Sequence, residues 1–241
     1  MSKSANHSLL DTITDFMVPI HSDGWKFVAI AGAIAAFLWF MIPFSILAYI
    51  ALGLTGYVAY FFRDPPRVTP LREGLVVSPA DGRVSSIDRV RPPAELGLGS
   101  DERTRVSIFL SVFDVHIQRA PVSGRISKSI YVPGAFLNAA LDKASEENER
   151  RSIVISSTRG DDIACVQIAG LIARRIVTFA KEGDSIGVGE RYGLIRFGSR
   201  VDVYLPAGHN PLVHVGQRAV GGETIIADLK STEAERLARQ S

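Results

Sequence analysis

The sequence predicts a mainly β protein with minor α content, an α+β chain. It places a barrel-like β-sandwich domain behind an N-terminal membrane helical segment. Three observations carry this. Residues 27–62, FVAIAGAIAAFLWFMIPFSILAYIALGLTGYVAYFF, are 36 consecutive positions without a charge. From residue 75 onward, short runs of alternating apolar residues are punctuated by Gly and Pro, the pattern of half-buried strands. Strong helix formers outside the apolar run are confined to two short stretches. The mean hydropathy of +0.17 is therefore an average over two different objects. One is greasy, and the other has the charge content of an ordinary domain.

Residues 1–26 read as an N-terminal cytoplasmic segment. Residues 27–62 read as a membrane-embedded helical hairpin or anchor. A bilayer core needs about 20 apolar residues per helix, so this run is long for one span and slightly short for two plus a turn. Pro43 sits near its middle, where it interrupts a helix. Lys26 flanks one end, and Arg63 and Arg67 the other. Basic residues on both sides favour a hairpin with both ends on the cytoplasmic side. A shallow hairpin in one leaflet fits the same residues. A buried pair of core helices is the competing reading, and the absence of any polar face argues against it.

Pro65, Pro66 and Pro70 make residues 63–73 a stiff connector. Residues 74–241 then form one domain. Its expected strands are 75–78, 83–89, 105–112, 115–118, 124–132, 151–157, 163–169, 176–180, 194–197, 200–205 and 224–227. Helices are expected at 136–147, where NAALDKASEENE is rich in helix formers, and at 232–240. An internal echo runs through the domain. PADGRVSSI (79–87) and APVSGRISKSI (120–130) share Pro, then Gly-Arg, then alternating apolar residues. KEGDSIGVGERYGLI (181–195) and HVGQRAVGGETII (214–226) share a tight turn opening a strand. Gly-led hairpins of this kind recur in lipoyl and biotinyl carrier domains.

Composition excludes several classes. The chain is too apolar for disorder. Cys165 is its single cysteine, which rules out a disulfide scaffold and a Cys-based zinc site. Basic and acidic residues nearly balance, 27 against 25, and no charged tail points to nucleic acid.

Three places hold candidate chemistry. His116 lies in SVFDVHIQRAPVSG. If residues 112–116 are one strand, Val112, Asp114 and His116 share a face. Histidine titrates near neutrality, although a hydrogen-bonded core histidine has the same surroundings. Asp81 lies in SPADGRV, where Asp-Gly also signals a plain turn. Gly198-Ser199 interrupts the strongly β-patterned RYGLIRFGSRVDVYLP. Such a glycine marks a bulge or a close approach. At a Gly-Ser step the hydroxyl can attack the preceding carbonyl, and Gly tolerates the geometry this needs. A surface serine on a β-bulge is the plainer reading. His214 is a reserve candidate.

SPADGRV, SVFDVHIQRAPVSG and RFGSR occur in this order behind an apolar segment. With YVPGAFLNA (131–139) and FRDPPR they cover essentially the whole chain, which resembles the phosphatidylserine decarboxylase family in its short bacterial form. The resemblance implies a self-processing pyruvoyl enzyme on the cytoplasmic side of the bacterial inner membrane. A proenzyme would split between Gly198 and Ser199 into a β chain, 1–198, and an α chain, 199–241. The covalent pyruvoyl group derived from Ser199 would take up the amine of phosphatidylserine, a membrane phospholipid, and release carbon dioxide to give phosphatidylethanolamine. No metal and no nucleic acid are implied, and a homodimer fits the family.

Residue by residue, the resemblance makes Ser199 the nucleophile and Gly198 the donor of the attacked carbonyl. His116 becomes the proton-transfer residue, and Asp81 the carboxylate that orients a base or accepts a proton. Arg119 and Phe113, from the same motif as His116, are substrate-binding candidates. One departure stands out. Longer members carry a second histidine where this chain has Arg119, and an arginine is not a base at neutral pH. The identity of the base therefore stays open. Two rival functions remain. One is a membrane-tethered carrier or binding module, which needs a Lys at a hairpin tip; Lys181 precedes Gly183-Asp184 but lacks the flanking Met that such domains commonly show. The other is a pyruvoyl decarboxylase of another amine-bearing substrate.

Overall fold

Pro43 ends the first helix of the apolar run, and the chain turns back on itself. The computed structural model describes residues 18–137, 139, 147–171, 175–196, 198–234 and 236–239. It divides into two compact units, one up to Pro66 and one from Arg67 onward.

In the first unit, α1 (Ser22–Met41) and α2 (Ile46–Phe61) flank a turn at residues 42–45. The side chains of His21 and Ser45 accept the first free N–H groups of α1 and α2, from Asp23 and Ala48. Two backbone bonds close the open end, His21 N–H to the Phe62 carbonyl (2.8 Å) and Asp64 N–H to the Pro19 carbonyl (2.7 Å). The helices meet through small residues, Gly32, Ala35, Ala36 and Ala48 among them, which allow close backbone approach. Large apolar side chains such as Ile30, Phe37, Leu47 and Leu54 are exposed. That distribution does not fit a core helix pair. At about 1.5 Å per residue, the 20 residues of α1 reach roughly 30 Å. This helix is long and apolar enough to cross a membrane.

Among the described residues, the second unit holds thirteen strands: β1 (Leu75–Val77), β2 (Gly82–Val90), β3 (Arg103–Leu110), β4 (Ile117–Arg119), β5 (Gly124–Val132), β6 (Arg150–Ser157), β7 (Asp162–Ala169), β8 (Ile176–Thr178), β9 (Ser185–Ile186), β10 (Arg191–Ile195), β11 (Ser199–Tyr204), β12 (Arg218–Ala219) and β13 (Ile225–Asp228). Eight form one antiparallel sheet in the order β12-β2-β3-β11-β7-β6-β5-β9, which curls into a half-barrel. A three-stranded sheet, β4-β10-β8, and a two-stranded one, β1-β13, complete the sandwich. Alternate residues of the large sheet point inward. Val84, Ile108, Ile153, Cys165 and Val203 join Val76, Tyr192 and Ile226 of the smaller sheets in the main core. On the outer face, Leu96 and Leu98 cover Val154, Val166, Ile168 and Tyr204.

The expected strands are present with ends shifted by up to three residues, and two more join them. The additional ones, β9 and β12, give the internal echo its structural meaning. Each docks on the start of a Gly-Arg strand, β9 on β5 and β12 on β2. The bonds match one for one. Val84 N–H meets the Gln217 carbonyl, as Ile126 N–H meets the Asp184 carbonyl, both at 2.9 Å. Gly216 N–H returns to Val84 O as Gly183 N–H returns to Ile126 O, both at 2.8 Å. Gly216 and Gly183 share a φ of 92°, a left-handed turn that favours glycine. The domain therefore contains two copies of one unit, nested rather than in tandem.

One expectation needs revision. Residues 232–234 and 236–239 are not helical. The stretch is short and polar, Leu237 is fully exposed, and no apolar face is available to offset the cost of ordering it. The helix expected at 136–147 lies largely outside the described residues; Phe136 and Leu137 at its start are not helical, and Glu147 at its end is. The connector also divides. Residues from Arg67 onward dock on the β domain through Arg67–Asp81, Arg72–Asp228 and Lys230–Glu73 ion pairs of 2.6–2.7 Å.

Candidate active site

Residues 111–116 are a turn between β3 and β4, so Val112, Asp114 and His116 do not share one strand face. Asp114 Oδ2 accepts from both the N–H and the hydroxyl of Ser111, each at 2.8 Å. Its N–H donates to the Ser111 carbonyl. Local side-chain bonds of this kind compete with strand pairing. Arg218 pairs with the other Asp114 oxygen. The turn delivers His116, fully buried, to the end of the sheet.

His116 Nδ1 lies 2.9 Å from the Asp114 carbonyl oxygen, which can only accept. Gly198 N–H donates to His116 Nε2 at 3.2 Å. Both bonds are satisfied together by neutral imidazole with its proton on Nδ1. The basic lone pair of His116 therefore points at residue 198. Gln118 holds the His116 carbonyl at 2.8 Å, and Gln167 holds Gln118 at 2.9 Å, a buried polar chain behind the histidine.

Gly198 has φ +58°, a conformation that a side chain would strain. Ser199 opens β11 between Leu110 and Ala169. It is fully buried, and its Oγ has no hydrogen-bond partner among the described residues. An orphaned buried hydroxyl costs stability and calls for an explanation. The Gly198 carbonyl is lodged against Gly170, where a Cβ would run into its oxygen. An apolar recess of about 330 Å³ opens here, lined by Phe109, Val112, Ala139, Gly170, Leu171 and Gly198 among others. Leu171 in its wall is 68% exposed, and Phe113, next to Val112, is 63% exposed. Buried Asn148 frames the recess, bonding Leu137 N–H (2.9 Å), the Leu137 carbonyl (2.8 Å) and the Ala169 carbonyl (2.7 Å).

Asp81 is held by other partners. Its Oδ2 pairs with Arg67 at 2.7 Å, and its Oδ1 accepts Gly221 N–H at 2.7 Å. The second copy of the repeat shows which part of this is structural. At the matching turn, Ser123 Oγ accepts Val188 N–H at 2.9 Å. A hydroxyl thus suffices for the turn, and the carboxylate of Asp81 is surplus to it. Burial pushes the Asp81 carboxyl above its ordinary range, outweighing the downward pull of Arg67 and Gly221 N–H, while Asp114 adds a smaller upward push.

Arg119 is buried in β4 and donates to the Gly189 carbonyl at 3.0 Å, with its stem against Gly222. His214 and Lys181 occupy equivalent turns of the two copies, each closed by the residue three ahead. Burial pushes the Cys165 thiol up to about 12, so it is inert as a nucleophile near neutrality. The structure thus gathers Ser199, Gly198 and His116 at one point; Phe113, in the turn before His116, is exposed. It places Asp81 and Arg119 beside the 189 and 221–222 turns. Gly170 and Asn148 escaped the sequence reading, because only contacts between distant segments reveal them.

The comparisons point to one family. The phosphatidylserine decarboxylase family matches residues 54–227. A protein of Xanthobacter autotrophicus described as phosphatidylserine decarboxylase proenzyme is 57% identical over 231 residues, 96% of this chain and 98% of its own. Proteins of the same description from Ruegeria pomeroyi and Cereibacter sphaeroides are 56% and 54% identical. They cover 89% and 94% of this chain and 97% of their own lengths. None of these relatives favours the carrier alternative. With a family match across most of the chain, and its Gly-Ser step and buried histidine gathered at one recess, the chain belongs to the phosphatidylserine decarboxylase family.

Proposed function

We propose that this chain is a proenzyme that cleaves itself between Gly198 and Ser199 and then decarboxylates phosphatidylserine to phosphatidylethanolamine. The observation that carries the reading is the buried, unpartnered Ser199 hydroxyl, following a left-handed Gly198 whose N–H rests on His116 Nε2. The geometry fits the chemistry. Ser199 Oγ adds to the Gly198 carbonyl carbon, and the C–N bond breaks, turning the amide into an ester. Removal of the Ser199 Cα proton then expels the Gly198 carboxylate from Cβ, leaving dehydroalanine at the new N-terminus. Water replaces its nitrogen, ammonia leaves, and a pyruvoyl group remains. His116, whose Nε2 accepts the Gly198 N–H, is the proton acceptor and donor at the scissile residue, and Asp81 accepts a proton or orients the base during cleavage. Gly170 leaves room for the carbonyl.

The pyruvoyl group supplies a carbonyl electron sink for loss of carbon dioxide from an amine-bearing substrate. Around it lies the apolar recess, and His116 moves the proton. The helical hairpin anchors the protein in the inner membrane with the β domain on the cytoplasmic side, where a lipid headgroup is within reach.

Intact-mass analysis of purified protein tests the reading. The expected result is two chains, 198 and 43 residues long, with the shorter one shifted by a carbonyl trap such as hydroxylamine. Ser199→Ala stays full length and inactive. Active protein consisting of one uncut chain would refute it.

A further inference from the structure

The two copies of the Gly-Arg unit share backbone bonds but use their arginines differently. In the second copy, Arg125 Nε donates to the Gly183 carbonyl at 3.1 Å, tying its strand to the turn beside it. In the first, Arg83 stands at the matching position next to Gly216, is exposed, and has no hydrogen bond or ion pair among the described residues. The fold has a structural use for this guanidinium and leaves it unused.

The surroundings of Arg83 sharpen the contrast. One row runs across the outer face of the large sheet. Arg218 lies opposite Arg83, Arg83 opposite Phe109, Phe109 opposite Arg200, Arg200 opposite Ile168, and Ile168 opposite Arg150. Three of these four arginines have carboxylate partners: Arg218 with Asp114, Arg200 with Asp202, Arg150 with Glu95. Only Arg83 has none among the described residues. Its directly opposed neighbour on β12 is a second arginine, and like charges facing across strands destabilise a sheet. On its other side is Phe109, which lines the recess holding Gly198. An unpaired cation kept beside another cation, one strand from that recess, is the signature of an anion site.

We propose that Arg83 binds the phosphodiester of the lipid headgroup and so positions the substrate amine over residue 199. This rests on the decarboxylase reading and adds the subsite that distinguishes a phospholipid from a free amino acid. Arg218 adds field but is committed to Asp114, so Arg83 carries the contact.

The test uses the full-length, self-processed protein in neutral detergent micelles carrying phosphatidylserine. Arg83→Gln should self-cleave completely by intact mass and raise KM at least tenfold, with kcat within about threefold of wild type. Arg83→Lys, which keeps the charge without the fork, should fall between. Arg125→Gln, the matching residue of the other copy, should leave KM unchanged. Inorganic phosphate should inhibit the wild type competitively and Arg83→Gln several-fold less. An unchanged KM in Arg83→Gln overturns the proposal, as does equal inhibition of both proteins by phosphate. A defect seen only on vesicles containing phosphatidylglycerol also overturns it, since that would be attraction to a charged bilayer. Wild-type protein that never splits would instead refute the underlying decarboxylase reading.

Discussion

Asp81→Ser separates the two roles that meet in one carboxylate. The protein already contains the substituted version, because Ser123 closes the equivalent turn through its hydroxyl at 2.9 Å, against 2.7 Å for Asp81. The substitution trades an ionic acceptor for a neutral one and releases Arg67, whose side chain is 12% exposed. The bond lost costs about 1–2 kcal/mol. Part of this is offset because the buried carboxylate no longer has to ionise. The net loss should not exceed about 2 kcal/mol. For the 175-residue unit from Arg67 onward, at roughly 2–4 °C per kcal/mol, the melting temperature falls by less than about 8 °C. Loss of a group engaged in proton transfer costs on the order of 10²–10⁴ in rate. Intact mass over time therefore shows cleavage slowed at least about a hundredfold in a protein that melts almost normally. The sign of the pH effect is also fixed. A carboxyl raised on folding stabilises the native state below its ordinary range, and that contribution is lost as pH rises through the raised value. The variant lacks this loss, so its stability relative to wild type improves from acid to neutral pH. A serine variant that cleaves at the wild-type rate would reduce Asp81 to a turn residue and refute the reasoning.

Two further predictions address the scissile residue. His116→Gln should slow cleavage by on the order of 10²–10⁴, because an amide oxygen can accept Gly198 N–H but cannot carry the proton; a mass time course at neutral pH checks it. Gly170→Ala places a Cβ against the Gly198 carbonyl oxygen. It should stall cleavage while costing about 1–3 kcal/mol of stability, read as full-length protein that still melts cooperatively.

The strands were legible because alternation is a local signal. Gly124 and Pro133 bracket β5 so closely that its ends agree to the residue. Two-residue strands carry no alternation, so β9 and β12 were invisible. The C-terminal stretch has helical propensity without an apolar face, and propensity alone does not hold it. The run from Ser111 to Gln118 alternates like a strand, yet Asp114 commits its carboxylate to Ser111 and bends the chain. Gly198-Ser199 stands out by its chemistry, and the structure adds the orphaned hydroxyl. Arg119 attracts attention as a missing histidine, whereas its guanidinium reaches the Gly189 carbonyl. Gly170 and Asn148 had no signal at all, because the carbonyls that they accommodate belong to segments distant in sequence, Gly198 for the first and Leu137 and Ala169 for the second.

The duplicated unit supplies an internal control that a single-copy fold lacks. Backbone bonds at the two copies agree to within a few tenths of an ångström, so both satisfy the same structural demands. Any chemical difference between equivalent positions is then something that the fold does not require. Asp81 against Ser123 is one such difference: both close the turn, and only one brings a charge with a raised pKa. Arg83 against Arg125 is another, with identical side chains and only one of them put to structural use. Both departures fall in the first copy, whose strand β2 pairs with β3, which in turn pairs with the strand that begins at Ser199. The second copy, built on β5, keeps the plain version of each. The divergence is thus confined to the copy one strand nearer to Ser199, where the proposed chemistry takes place.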